Sequence, residues 1–381
     1  LPNWSSPDTN ASRGKSTMPC PTFQKQSAAK ADLATQERLE PMNIIVPMAG
    51  RGSRLRPHTL TVPKPLVHVA GKPIVERLVE DIVRTSHEPV ENIVFVTGQF
   101  GEAVEQDLIA VAERLGAKGH IRYQDQPLGT AHAILCGADA LDGPVVVAFA
   151  DTLFRADFTI DPDADGVLFC QRIEDPSSFG VVVTDEQGTI VDYVEKPQEF
   201  VGDLAMIGIY AFKDGARLKK ELQRLIDDNV IHGGEYQLPD ALRAMTQDGL
   251  KFIPGEVCDW MDCGNKAVTV ETNGRILSIL EEEGRLDAVP ASASITDSVV
   301  VPPCFIGEGV VIERSVVGPH VSLGAGTTVR NAVVKRSLIG GDSSLDDVVV
   351  DGAMVGAHAR WHGKADDASI GDFCVIGTPA G

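Results

Sequence analysis

Asn43-Ile44-Ile45-Val46-Pro47-Met48-Ala49-Gly50-Arg51-Gly52-Ser53-Arg54-Leu55-Arg56-Pro57 decides how the whole chain is read. The run Ile44 to Met48 is short and apolar, the pattern of a strand buried on both faces. The loop that ends it holds Gly50 and Gly52, which let backbone approach a ligand closely. N–H groups left unpaired between a strand end and the next element form a nest for phosphate oxygens. Ser53 belongs to the same loop, and Arg54 can clamp a phosphate bidentately. The dinucleotide fingerprint would need a third glycine where this chain has Leu55, so a nicotinamide site is set aside.

Charge around the loop points the same way. Residues 41 to 75 contain no Asp or Glu, although 54 acids in 381 residues predict about five in such a window. The window carries Arg51, Arg54, Arg56, Lys64 and Lys72. In a chain of net charge −20 this is a local funnel for an anion. Lys64 stands in Pro63-Lys64-Pro65, where two prolines restrict the flanking backbone and aim the ammonium in one direction.

Outward from the loop, Ile93 to Thr97 and Val145 to Phe149 repeat the buried-strand pattern. Between the strands, Ile74, Val75, Leu78, Val79, Ile82 and Val83 share one helix face, as do Val104, Leu108, Val111 and Leu115. Alternating strands and helices predict an α/β domain, a Rossmann-like doubly wound, mostly parallel sheet with ligands beyond the carboxyl ends of its strands. Further strands are expected at Gly166 to Cys170, Phe179 to Thr184, Thr189 to Val194 and Ala205 to Phe212. Helices are expected near Ala216 to Ile226, Leu238 to Met245 and Ala267 to Glu283.

Three more segments carry chemistry. Tyr123-Gln124-Asp125-Gln126-Pro127-Leu128-Gly129-Thr130-Ala131 leads into a helix, and the Gln124 amide can read a base edge by donating and accepting at once. Asp151 follows the strand Val145 to Phe149, where magnesium on substrate phosphates takes one or two carboxylates. Asp262, in Trp260-Met261-Asp262-Cys263-Gly264, is the second such acid, and Glu195-Lys196-Pro197 closes a strand with another lysine held by proline.

After about Ala291 apolar residues recur at near-hexapeptide spacing with glycines beside them: Ile306-Gly307, Ile312, Val317-Gly318, Leu323-Gly324, Val329, Val334 and Ile339-Gly340. The steps from Ile306 to Leu323 (17) and from Leu323 to Ile339 (16) are about one coil of a three-sided parallel β-helix. The pattern blurs between Gly341 and Ala368 and resumes at Ile370-Gly371 and Ile376-Gly377. The expected organisation is a disordered leader over 1–40, a catalytic domain over 41–284 and a β-helix over 290–381. Gly14-Lys15-Ser16 in the leader lacks the earlier glycine and the strand of a phosphate-binding loop.

Bulk properties exclude other classes. The acidic balance is wrong for nucleic acid or an anionic membrane, which require a basic surface. Seven scattered cysteines without a C-x-x-C pair suit a reducing compartment. Without an apolar run of about 18 residues or a secretory stretch in residues 1 to 40, the expected location is cytoplasmic.

Together these segments resemble the sugar nucleotidyltransferase family, most closely its glucose-1-phosphate thymidylyltransferases and their uridylyl relatives, over roughly residues 43 to 280. Gly50-x-Gly52-Ser53-Arg54-Leu55-x-Pro57 with Pro63-Lys64-Pro65 matches the family signature. Leu128-Gly129-Thr130-Ala131, Asp151, Glu195-Lys196-Pro197 and Asp262 follow in the family's order. The first loop departs in having Ala49-Gly50 where many members have paired glycines.

The resemblance implies a nucleotidyltransferase fold with a left-handed β-helix. It also implies transfer of a nucleotidyl group from dTTP or UTP to a sugar 1-phosphate, glucose 1-phosphate first, with Mg²⁺ as cofactor and a homo-oligomer as the assembly. Arg54, Lys64 and Lys196 would be the catalytic cations, the first two on the triphosphate and Lys196 on the sugar phosphate. Gly50, Gly52, Ser53, Gln124, Gly129 and Thr130 would bind nucleotide, Gly180, Glu195 and Gly208 the sugar, and Asp151 with Asp262 the metal. A mannose-1-phosphate guanylyltransferase and a non-catalytic subunit that binds nucleotide sugar are the competing readings.

Overall fold

A computed structural model of the chain describes residues 40–50, 52–86, 88–156 and 163–364. The expected leader, its Gly14-Lys15-Ser16 and the apolar pairs at 370 and 376 lie outside the described residues. The chain enters through β1 (Met42–Pro47). After the glycine-containing loop comes a small hairpin, β2 (His68–Val69) and β3 (Lys72–Pro73), and then α1 (Ile74–Thr85). There follow β4 (Val90–Thr97), α2 (Glu102–Arg114), β5 (Lys118–Tyr123), α3 (Thr130–Leu135), β6 (Val145–Ala148) and β7 (Thr152–Arg155). The second half of the sheet is β8 (Gly166–Arg172), β9 (Gly180–Thr184), β10 (Ile190–Glu195) and β11 (Leu204–Phe212). α4 (Gly215–Asp227), α5 (Leu238–Gln247), β12 (Phe252–Glu256), β13 (Asp259–Asp262) and α6 (Lys266–Glu282) complete the region.

The main sheet runs β10-β9-β11-β6-β1-β4-β5, with β8 on β11 and β12 on β8. β6, β1, β4 and β5 are mutually parallel, and β11 is antiparallel to β6. The period of two along β1 explains the two layers of core. Ile44 and Val46 face α1, α2 and α6, joining Leu78, Ile82, Leu108 and Leu277. Ile45 faces the other way, into a cluster with Ile134, Leu218, Leu222 and Leu242. A strand buried on both faces has no polar side to show, which is why β1, β4 and β6 read as continuous apolar runs. No helix among the described residues is long and apolar enough to cross a membrane.

From Ser294 the chain winds through three stacks of short parallel strands, the left-handed β-helix implied by the resemblance. One stack pairs Ile295, Ile312, Val329, Leu345 and Trp361 in register. Another pairs Val300, Val317, Val334 and Val350. The coils continue without a break through Ser344–Asp346, Val349–Asp351, Met354–Val355 and Arg360–His362, where the apolar pattern fades in the sequence.

Buried serines hold corner positions both before that stretch, at Ser315 and Ser337, and within it, at Ser343. Ser315, Ser337 and Ser343 each accept from a backbone N–H of the following coil, at Ala332, Ala353 and Ala359 (3.0 Å each). A serine whose hydroxyl is satisfied by backbone does the work of a corner without an apolar signature. On the outer face of the valine stack, Val299, Val316, Val333 and Val349 form a row in register, and Val349 is 81 % exposed.

The third stack lies against α6 and the hairpin. Asn273 of α6 is fully buried, and its Oδ1 accepts both the Ala70 N–H (2.9 Å) and the Ser322 hydroxyl (2.7 Å). Its Nδ2 is buried without a partner. One oxygen that satisfies two buried donors outweighs one orphaned amide nitrogen, so an amide stands where leucine would otherwise pack. Asn273→Ala removes the shared acceptor and strands both donors, for an expected loss of about 2–4 kcal/mol. A shift of the urea midpoint at unchanged m-value checks this, and a midpoint equal to wild type would refute the shared-acceptor role.

Candidate active site

β1, β4 and β6 all end at one edge of the sheet, and the chain leaves β1 there into the glycine-containing loop. The Met48 N–H still bonds to the Val96 carbonyl (2.8 Å) before the backbone turns away. Gly52, at φ +58, starts the short helical turn Ser53–Leu55, which buried Leu55 anchors to the core. A Cβ on Gly52 would stand 2.7 Å from the Lys64 Cβ, so only glycine lets the loop close over Lys64. The Thr59 hydroxyl donates to the Gly52 carbonyl (2.7 Å) and holds that closure.

Lys64 opens a second short turn, Lys64–Leu66, after Pro63. It is only 7 % exposed, and its Nζ lies 3.2 Å from Asp151 Oδ2. Asp151 comes between β6 and β7, and β7 pairs antiparallel with β13 so that Asp262 faces Thr152. The Cys263 N–H also donates to the Asp151 carbonyl (3.1 Å). Thus two acids 111 positions apart in sequence stand at neighbouring places, where Asp151 forms part of the floor of the site and Asp262 lies outside its lining. Burial pushes the Asp262 carboxyl above its ordinary pKa; Lys64 and Arg54 oppose this, and the Asp151 charge adds to it. Asp262 Oδ1 accepts from the Gly264 N–H (2.8 Å).

Above this floor lies a cavity of about 370 Å³. Gly50, Gly52, Ser53, Arg54, Lys64, Gln124, Gly129, Thr130 and Asp151, all singled out in the sequence, line it. The Thr130 hydroxyl is already used, accepting the Leu238 N–H at the start of α5 (2.9 Å). Gln124 differs from expectation in one respect. Its Nε2 faces the Gly129 carbonyl (3.1 Å) and His132 Nδ1 (3.1 Å), so its donors are engaged within the protein.

Gly180, Glu195, Lys196 and Gly208 form a second group outside that lining. Gly180 and Glu195 are paired across β9 and β10, and Lys196 Nζ lies 3.6 Å from Glu195 Oε1. Lys196 itself is exposed, at a left-handed φ of 46. Gly208 sits in the register break of β11, and its carbonyl accepts the Phe149 N–H (2.9 Å). Tyr210 connects the two groups. Its ring meets Phe149 edge-on at 6.3 Å, and burial, with the Glu195 and Asp151 charges, raises its hydroxyl pKa so that it stays protonated.

The sequence alone had not marked Phe149, Glu235 or His132. Phe149 and Glu235 line the cavity, but Glu235 arrives from the loop between α4 and α5, which has no periodicity to read. His132 is two residues beyond Thr130, and its role depends on what lies across from it.

A doubly wound sheet with a cation-lined cavity at its carboxyl edge, Asp151 and an amide in its lining and a second acid on the neighbouring strand defines an enzyme that handles phosphorylated nucleotides. Residues 43–278 match the Nucleotidyl transferase family, and the chain belongs to it. It is 29 % identical, over 84 % of its length and 93 % of the relative's, to the low-salt glycan biosynthesis nucleotidyltransferase Agl11 of Haloferax volcanii. A glucose-1-phosphate thymidylyltransferase of Streptomyces antibioticus matches to the same extent. The catalytic subunit beta of a mannose-1-phosphate guanylyltransferase from Danio rerio is 30 % identical over 58 % of this chain and 61 % of its own.

Proposed function

We propose that this protein transfers a nucleotidyl group from dTTP or UTP to a sugar 1-phosphate, glucose 1-phosphate first, releasing pyrophosphate and a nucleotide sugar. The observation that carries the reading is a single cavity lined by Arg54, Lys64 and Asp151 together with Gln124 and Gly129. The cations suit phosphates, and the amide suits a base.

In this reading an ionised oxygen of the sugar phosphate attacks the α-phosphorus in line. The new P–O bond forms as the bond to the bridging oxygen of pyrophosphate breaks, and the electron pair leaves with pyrophosphate. The nucleophile is already ionised at neutral pH, so the site needs neither a general base nor a covalent intermediate. Catalysis is positioning and charge neutralisation. Arg54 and Lys64 stabilise the departing pyrophosphate, Lys196 holds the sugar phosphate, and Glu195 with backbone at Gly180 and Gly208 bonds the sugar hydroxyls.

Mg²⁺ fits the residues present. The Asp262 carboxylate is disfavoured by burial and by Asp151 beside it, a strain that a divalent cation would relieve. Among the described residues there is no cluster of three or more metal-binding side chains, but an ion carried on substrate phosphates needs only one or two carboxylates. Asp151 and Asp262 would hold it, and it would neutralise phosphate charge. The reading also carries the expected cytoplasmic homo-oligomer, with the outward valine row as the surface that supports assembly.

GTP with mannose 1-phosphate is the second reading, favoured because guanine also shows a ring N–H beside a carbonyl. Pyrophosphate release from each common triphosphate with glucose 1-phosphate and mannose 1-phosphate separates the two. A clear dTTP or UTP preference is expected. A GTP preference moves the assignment to the second reading, and an ATP or CTP preference overturns both.

A further inference from the structure

Gln124 lines the cavity, and its amide nitrogen is held by two groups of the protein. The Gly129 carbonyl, 3.1 Å from one end of that amide, can only accept a hydrogen bond, so that end is the NH₂. The same nitrogen lies 3.1 Å from Nδ1 of His132. Two donors cannot face each other, so Nδ1 carries the lone pair and the imidazole proton sits on Nε2. Both amide protons are then spent inside the protein. No donor among the described residues meets Oε1, which is left as the group Gln124 offers to whatever enters.

We infer that His132 is a specificity-determining positioning residue: by accepting from Gln124 it keeps that amide turned so that the site selects bases with a protonated ring nitrogen. Uracil, thymine and guanine present such an N–H, whereas cytosine and adenine present a lone pair at the corresponding ring position. Oε1 pairs with the first class and repels the second. The inference rests on Gln124 facing the base, as in the proposed function, but it extends to a class of bases rather than one nucleotide.

The surroundings keep His132 in the accepting form. Burial lowers the pKa of its imidazole below the ordinary value and so favours the neutral ring. The Cys136 thiol, 3.9 Å from Nδ1 at the end of α3, is itself pushed up by burial and by the Asp125 charge, so it stays neutral. The Asp125 carboxylate accepts from Gln99 (3.0 Å).

The test uses the full chain with dTTP, UTP, GTP, CTP and ATP in wild type, His132→Met and His132→Asn. Met cannot accept the bond, so only the Gly129 carbonyl is left to hold the NH₂ end and the amide turns more easily. The ratio of kcat/KM for ring N–H bases to that for lone-pair bases should fall about tenfold or more, through KM rather than kcat. Asn keeps an acceptor and should restore much of the ratio. A His132→Met enzyme that loses efficiency equally on every triphosphate overturns the inference, since that is the signature of a merely structural residue. The nitrogen-15 spectrum of His132 without nucleotide tests the hold on Gln124 independently: the Nε2–H tautomer is expected, and the Nδ1–H tautomer overturns it. A GTP preference together with the Nε2–H tautomer would overturn the dTTP or UTP assignment and support the role of His132.

Discussion

Asp151→Asn and Asp262→Asn should each lower kcat by about a thousandfold while the protein stays folded. Each change removes one negative charge and keeps the shape, so what is lost is the capacity to hold a cation against the triphosphate. Stability should move differently at the two positions. The Asp262 carboxyl has a raised pKa in the fold, so its ionised form opposes folding at neutral pH and the opposition is relieved as pH falls. Asp262→Asn should therefore match or exceed wild type in Tm at pH 7. Asp151→Asn takes away the ion-pair partner of nearly buried Lys64, at 3.2 Å, and should cost some stability, although the half-exposed carboxylate limits the loss. Steady-state pyrophosphate release and thermal melts of both variants decide the matter. Either variant keeping more than a tenth of wild-type kcat would remove that acid from the metal site.

The two acids were legible because each follows a strand-like segment, and the resemblance assigned both to one ion; what was not legible is the strand pairing that brings them together. It depends on β7 and β13, four residues each, whose pairing sets Trp260 against Phe154 and Met261 against Leu153. Segments that short carry no period of their own. The central strands were legible for the opposite reason: β1, β4 and β6 are buried on both faces and leave unbroken apolar runs. Of the edge strands, β10 was legible but β5 and β12 were missed. β5 reads Lys-Gly-His-Ile-Arg-Tyr and β12 holds Pro254 and Gly255, because an edge strand has fewer ladder bonds and less burial to satisfy. The first loop was legible through its chemistry, by glycines, cations and absent acids. His132 was not, since a histidine on a helix shows nothing of the amide it meets across the turn.

Gly129→Ala is expected to damage both stability and nucleotide affinity, and the turn geometry gives the reason. Gly129 sits at φ +114 and ψ 178, a conformation essentially reserved for glycine. A Cβ there would fall inside the contact radius of the Tyr236 carbonyl oxygen and 2.7 Å from the Tyr236 nitrogen. Neither atom can retreat cheaply. The Tyr236 N–H donates to the Leu128 carbonyl (2.8 Å), and its carbonyl accepts the Ala131 N–H (3.0 Å). Strain of about 1–3 kcal/mol, plus about 1 kcal/mol for each backbone bond that yields, gives a total near 3–5 kcal/mol. For a chain of this size that is a fall in Tm of about 4–6 °C. The Gly129 carbonyl also anchors Gln124, so moving it releases the amide, and KM for the preferred triphosphate should rise about 10- to 100-fold. Gly143→Ala is the matched control: φ is also positive, at +61, but the nearest atom to a Cβ is Glu40 Oε2 at 4.0 Å. That variant should cost about 1 kcal/mol and leave KM alone. If Gly129→Ala behaved like Gly143→Ala in both melting and KM, the turn would not be what holds the base end of the cavity.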